Sequence, residues 1–116
     1  AFVVIVATAD AQTVISVDIA KAKLSWSWAQ GTGGPVTEFR VKCGTISSTS
    51  VDTKTTVLVD PAARTLAVLT AIKGPGNWFC VVSAANQFGE SGLSNEVSFA
   101  AGSAPVAPTD TQIIAN

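Results

Sequence analysis

The sequence predicts an all-β domain, a seven-stranded sandwich of two sheets, and three observations support this fold class. Short runs rich in Val, Ile, Thr, Phe and Trp alternate apolar with polar residues, which is the period-two pattern of half-buried strands. Clusters of Gly, Pro, Asn and Asp separate these runs at intervals of about 8–12 residues, which is typical of a sandwich. Between residues 13 and 99 no stretch has a convincing helical period. The length of 116 residues fits one domain.

The first two predicted strands are separated by a short turn. Thr13–Ile19 is rich in β-branched residues and predicts the first strand. In the second, four apolar side chains face one side of the strand and Lys23, Ser25 and Ser27 face the other: Ala22, Leu24, Trp26 and Trp28. The following GTGGP, residues 31–35, predicts a loop because Gly tolerates positive φ and Pro cannot pair in a sheet.

Five further strands follow in the same manner. We predict them at residues 38–43, 54–59, 65–72, 78–84 and 95–99. Asp60-Pro61, Lys73–Asn77 and Asn86–Gly92 supply the turn residues between them. In the third strand Glu38, Arg40 and Lys42 occupy the outward positions, which predicts a solvated, charged face.

Three motifs, in this order and spacing, resemble the fibronectin type III family. Leu24–Trp26 (LSW) is similar to the second-strand tryptophan motif, and Phe39–Val41 (FRV) is similar to the third-strand Tyr-x-Val. The segment 78–97, WFCVVSAANQFGESGLSNEV, resembles the signature Tyr-x-x-x-Val-x-Ala-x-Asn-x-x-Gly-x-Ser-x-x-Ser. The resemblance covers residues 13–99. It departs from the family at Trp78, which replaces a tyrosine whose hydroxyl makes a corner hydrogen bond.

The resemblance implies that the third and sixth strands are antiparallel neighbours. Their register then pairs Phe39 with Ala84, Val41 with Val82, and Cys43 with Cys80. A disulfide is the interpretation favoured in a secreted chain, and two reduced, buried cysteines are the alternative. With the inward alternation, this arrangement predicts a core of Leu24, Trp26, Phe39, Val41, Trp78, Val82 and Ala84.

Residues 1–11 form an apolar N-terminal segment with two interpretations. The apolar run ending in Ala9-Asp10-Ala11 is similar to the end of a secretion signal, with the mature chain starting at Gln12. Alternatively it is an inter-subunit strand, in which a neighbouring copy covers both apolar faces of Phe2, Val3, Val4, Ile5 and Val6. The run is too short for a transmembrane helix, which needs about 20 apolar residues.

The chain is therefore divided into the N-terminal segment, a fibronectin type III-like domain over residues 12–100, and a Pro/Ala-rich tail over residues 101–116. Pro105 and Pro108 predict an extended tail. Ile113 and Ile114 near its end predict either a frayed end or a short strand that contacts a neighbour.

The composition argues against an enzyme. The chain has no His, and its two cysteines cannot form a zinc-type ligand set, so we expect neither a catalytic residue, nor a metal site, nor a cofactor. A net charge of −1 with scattered Lys and Arg excludes a basic face for nucleic acid.

We therefore expect a secreted, non-catalytic structural protein that self-assembles through its terminal strands, as a filament or surface-layer subunit. Its expected partners are copies of itself or another extracellular protein. The alternative is a monomeric or virion-surface binding module that recognises a protein or carbohydrate with its end loops. The candidate binding residues in those loops are Trp28, Gln30, Thr32, Gln87, Phe88 and Glu90.

Overall fold

A computed structural model describes residues 4–6, 15–47 and 53–115, with the backbone alone for residues 4–6. Within these ranges the chain forms nine strands and one helical turn, in the order β1 (Val4–Val6), β2 (Ile15–Asp18), β3 (Lys23–Ser25), β4 (Glu38–Gly44), β5 (Thr55–Val59), β6 (Thr65–Ala67), α1 (Val68–Ala71), β7 (Gly76–Asn86), β8 (Gly89–Glu90) and β9 (Val97–Gly102).

The strands form two sheets that pack against each other, so the predicted all-β sandwich is confirmed. The smaller sheet has the order β1-β3-β6. The larger has the order β2-β9-β7-β4-β5, with β8 paired to the end of β7. Most neighbours are antiparallel, but β1 runs parallel to β3 and β2 runs parallel to β9.

The centre of the large sheet has the register that the resemblance implied. In the antiparallel β4–β7 pair, Phe39 lies opposite Ala84, Val41 opposite Val82, and Cys43 opposite Cys80. Cys43 and Cys80 form a disulfide, which links the two central strands covalently. The described residues contain no free cysteine.

The core lies between the sheets and is built from the inward positions of both. Of the predicted core, Ala84 is half-buried and packs against the buried cluster, and the other six residues are themselves buried. Leu24, Phe39 and Val41 are among the largest fully buried side chains. The cluster also includes residues outside the predicted core, among them Val17, Val68, Ile72 and Phe99.

The predicted strand over residues 65–72 is half wrong, because it ends at Ala67 and continues as the helical turn α1. Val68 and Ala71, three residues apart, are both buried, whereas Leu69 and Thr70 are exposed. A helical turn places residues i and i+3 on the same face, but a strand would have placed Ala71 outward. Burial of both side chains therefore favours the turn.

The last strands extend beyond their predicted bounds. β7 covers Gly76–Asn86, and the two-residue β8 pairs with its end and forms a hairpin inside the predicted loop. β9 runs to Gly102, two residues past the boundary predicted between domain and tail.

At the start of β7, the Trp78 Nε1 donates a hydrogen bond to the Gly74 oxygen at 2.8 Å. The indole thus bonds back to the upstream backbone, as the tyrosine hydroxyl does in the family that the sequence resembles.

Part of the predicted inter-subunit strand pairs within the chain itself. Val4–Val6 form β1 and lie opposite Lys23–Ser25 of β3 in parallel register. Phe2 and Val3 lie outside the described residues. The edge of the small sheet therefore accepts this segment, and the same edge in another copy offers the same backbone partners.

Candidate functional site

The two ends of the sandwich carry different features, and β7 separates them. Its eleven residues span about 35 Å, from Gly76 to Asn86. The C-terminal tail begins near Gly76, because β9 ends at Gly102 and its Ala101 lies opposite Gly76. The loops that the sequence predicted for binding lie around Asn86. We call these two ends the tail end and the loop end.

At the loop end, the glycine loop and the β7–β8 hairpin are held together by hydrogen bonds. The Asn86 Nδ2 donates to the Pro35 oxygen at 3.1 Å, and the Thr37 N–H donates to the Ala85 oxygen at 2.8 Å. Within the glycine loop, the Gln30 Nε2 donates to the Gly33 oxygen at 2.6 Å. A Cβ on Gly34 would lie only 3.0 Å from the Asn86 Nδ2, so a side chain there would require the Asn86 amide to shift.

Between these loops lies a cleft of about 240 Å³, which we call the loop-end cleft. Its lining side chains are all uncharged and include Trp28, Gln30, Val36, Ala84, Ala85 and Asn86. Phe88 lies in the turn between Asn86 and Gly89, two lining residues, and is 86% exposed. An exposed aromatic side chain beside an uncharged concavity of mixed polar and apolar lining is compatible with a protein contact site.

Trp28 forms one wall of this cleft, but its ring is already packed. The Arg64 Cζ lies 5.7 Å from the Trp28 ring centroid, and the Phe39 ring packs edge-on at 5.9 Å. Trp28 is half-buried as a result. These two contacts hold the Trp28 ring in place while it still lines the cleft.

The other candidate binding residues occupy different places. Thr32 and Gln87 are exposed in the glycine loop and the hairpin turn, but neither lines the cleft. Glu90 also lies outside the cleft. It projects over the outer face of the large sheet, where it joins the charged residues of β4.

Five side chains form this outer-face ion cluster: Glu38, Arg40, Lys42, Ser83 and Glu90. The Glu90 carboxylate contacts the Lys42 Nζ at 2.6 Å and the Arg40 Nη1 at 3.1 Å, and it accepts a short hydrogen bond from the Ser83 hydroxyl. The Arg40 Nε lies 2.6 Å from Glu38. Lys42 and Ser83 are buried, so the predicted solvated face is partly wrong: β8 covers it. Hydrogen bonds from Lys42 and Ser83, and the nearby charges of Lys42 and Arg40, lower the pKa of Glu90 to about 2.

The pKa of Glu90 predicts a loss of stability in acid. Because it is lowered from 4.5 to about 2 on folding, the charged carboxylate stabilises the native state above pH 4.5, and this contribution disappears as the pH falls towards 2. Solvent screening at this partly exposed site limits the effect to about 1–2 kcal/mol. Glu90→Gln should flatten the dependence of the free energy of unfolding on pH in this interval. An unchanged profile in Glu90→Gln contradicts the assignment.

Apart from the outer-face ion cluster, the structure contains an ion pair between Lys54 and Glu96 that the sequence did not indicate. The Lys54 Nζ lies 3.3 Å from the Glu96 Oε2, and the Lys54 side chain has no exposed surface. The Ser47 hydroxyl donates to the Glu96 Oε1 at 2.6 Å. Gly44 lies against the Thr53–Lys54 segment, and a Cβ at this position would lie 2.7 Å from the Thr53 oxygen and 3.0 Å from the Lys54 Cγ. A side chain at residue 44 would therefore displace Lys54. No local motif indicates such a pair, because its members come from segments distant in sequence.

At the tail end, residues 103–115 are exposed throughout. Val106, Ile113 and Ile114 are 92%, 96% and 82% exposed. Large aliphatic side chains that remain in water along one segment mark a surface suited to a partner.

The described residues contain no group of three or more potential metal ligands. Among these residues, no helix has the length and hydrophobicity needed to cross a bilayer. No family model matches the chain, and no curated protein matches it in sequence.

Proposed function

We propose that this chain is a non-catalytic, extracellular structural subunit of the fibronectin type III type, which self-assembles through its terminal segments into a filament or surface layer. The observation that carries the proposal is the position of β1. Among the described strands, it pairs with β3 alone, at the outer edge of the small sheet, over three residues.

Such a strand is suited to exchange between copies. Residues 7–14 connect β1 to β2, and an identical strand from a second copy makes the same backbone pairs with β3. Exchange of β1 between two copies therefore keeps the same β1–β3 hydrogen bonds. The main free-energy cost of forming the dimer is then the entropy lost when the two copies associate. Reciprocal exchange between two copies gives a closed dimer.

The extracellular assignment is supported by the Cys43–Cys80 disulfide, since such bridges persist in oxidising compartments. The non-catalytic assignment is supported by the composition, which lacks the histidine that most general acid–base and nucleophilic sites use.

Deletion of residues 1–11 tests the exchange. We expect the complete chain to form species above its mass of 11.8 kDa at micromolar concentration, and the deleted chain to be a monomer. Sedimentation velocity measures both, and an intact disulfide with an unchanged near-ultraviolet circular dichroism spectrum shows that the deleted chain is folded. A deleted chain that assembles as the complete chain does contradicts strand exchange, and native material that begins at Gln12 excludes it.

A second candidate function, a monomeric or virion-surface module that binds a partner protein, is favoured by the loop-end cleft and exposed Phe88. The two functions differ in solution mass. A monomer of 11.8 kDa at all concentrations supports the binding module and contradicts self-assembly.

A further inference from the structure

We infer that the tail of one copy docks in the loop-end cleft of another copy, with Ile113 and Ile114 in contact with the cleft and Phe88. This inference rests on the proposed self-assembly and identifies a second contact within it. Neither the tail nor the cleft has a partner among the described residues of the same chain.

The positions of the two surfaces suit a head-to-tail contact. The tail leaves the sandwich at the Gly76 end of β7, and the cleft lies at the Asn86 end. Pro105 and Pro108 favour an extended backbone, and residues 103–115 are all exposed, so the tail does not pack along its own sandwich. The longest dimension of the molecule is 75 Å, about twice the length of β7. An extended tail of one copy is therefore long enough to reach the Asn86 end of a second copy that is aligned with it.

The chemistry of the two surfaces also matches. The cleft has only uncharged lining residues, and Asp110 is the one charged residue of the tail between residues 103 and 115. The cleft volume of about 240 Å³ accommodates a small number of aliphatic side chains, and the large exposed aliphatic residues of the tail are Val106, Ile113 and Ile114. Docking removes Phe88 and the two isoleucines from water together.

A contact of this size is weak by itself, because stable protein interfaces bury about 1,200–2,000 Å². A dimer formed by β1 exchange, however, carries two tails and two clefts. Two contacts between the same two dimers reinforce each other through effective concentration, so dimers join where a single contact between monomers is too weak. Because the two surfaces of one contact differ, the contact is heterologous, and it extends into an open chain wherever the rotation between successive dimers does not close a ring.

Two double variants of the complete chain test the tail and the loop-end cleft independently. Ile113→Asp/Ile114→Asp alters the tail at exposed positions. Gly33→Glu/Phe88→Asp places charge in and beside the cleft, where a Cβ on Gly33 has no atom within 4 Å and Phe88 is exposed. Leu58→Asp and Leu69→Asp are matched controls, since both remove an exposed leucine outside the tail and the cleft.

We expect sedimentation velocity to show particles larger than a dimer for the wild type and both controls, and dimers for each of the two test variants. An equimolar mixture of the test variants should restore larger particles, because one retains its clefts and the other its tails.

The outcomes distinguish this inference from the proposed function. A monomeric wild type refutes self-assembly and the docking that rests on it. A wild type that stops at the dimer, test variants as large as the wild type, or a mixture that stays dimeric refutes the docking alone and leaves β1 exchange standing.

Discussion

Removal of the Cys43–Cys80 disulfide is expected to lower the free energy of unfolding by about 4 kcal/mol. The bridge closes a sequence separation of 37 residues, and its absence restores that conformational freedom to the unfolded chain. Since domains of this size are typically stable by about 5–15 kcal/mol, the loss is a large fraction of the total. Guanidinium denaturation of the oxidised protein and of Cys43→Ala/Cys80→Ala measures the difference.

The chemical control is a thiol titration of unreduced, denatured protein, which should find no free cysteine. Cys80→Ser alone should leave Cys43 reactive and able to cross-link two chains. Two reactive thiols per chain in the wild type, or equal denaturation midpoints for the oxidised protein and the double variant, would show that the bridge is not formed or does not stabilise.

Trp26→Ala is expected to cost about 3–5 kcal/mol of stability, the range for removal of a large aromatic side chain from a core. Trp26 is 6% exposed, and its ring centroid lies 5.6 Å from that of Phe39, with the planes tilted by 57°. The substitution leaves a cavity between the sheets and removes this aromatic contact. Thermal or chemical unfolding followed by circular dichroism measures the loss.

Trp26→Phe is the matched control. The Trp26 Nε1 is buried and has no hydrogen-bond partner among the described residues, so phenylalanine removes this donor while retaining an aromatic ring. We expect a loss of about 1–2 kcal/mol from the smaller ring, well below that of the alanine variant. An alanine variant with the midpoint of the wild type would mean that Trp26 is not a core residue.

Much of the large sheet was predictable from the sequence because its signals are local. Alternation over residues 38–43 and 78–84 indicates two strands with one inward face each. The family resemblance then implied the register that pairs Phe39 with Ala84 and Cys43 with Cys80, which the structure shows. Pairing set by a period of two allows little slippage, since a shift by one residue turns every inward side chain outward.

The segment after Thr65 shows where local reasoning fails. Leu66 and Val68 alternate as in a strand, and Val68 and Ala71 have the spacing of a helical turn. Both patterns are short, so neither decides the structure. The packing decides it: the Val68 N–H donates to the Ala22 oxygen at 3.0 Å, and the turn buries Val68 and Ala71 together.

The sequence by itself determined the fold class and the inward faces of the central strands, because alternation and turn chemistry act between neighbouring residues. The pairing of Cys43 with Cys80 was implied by the family resemblance, and the structure confirms it. Only the tertiary structure decided that β1 runs along β3, that Glu90 joins Lys42 and Arg40, and that the tail and the loop-end cleft lie at opposite ends. These relations join residues far apart in the chain. They depend on how the two sheets are ordered and stacked, and no local pattern encodes that order.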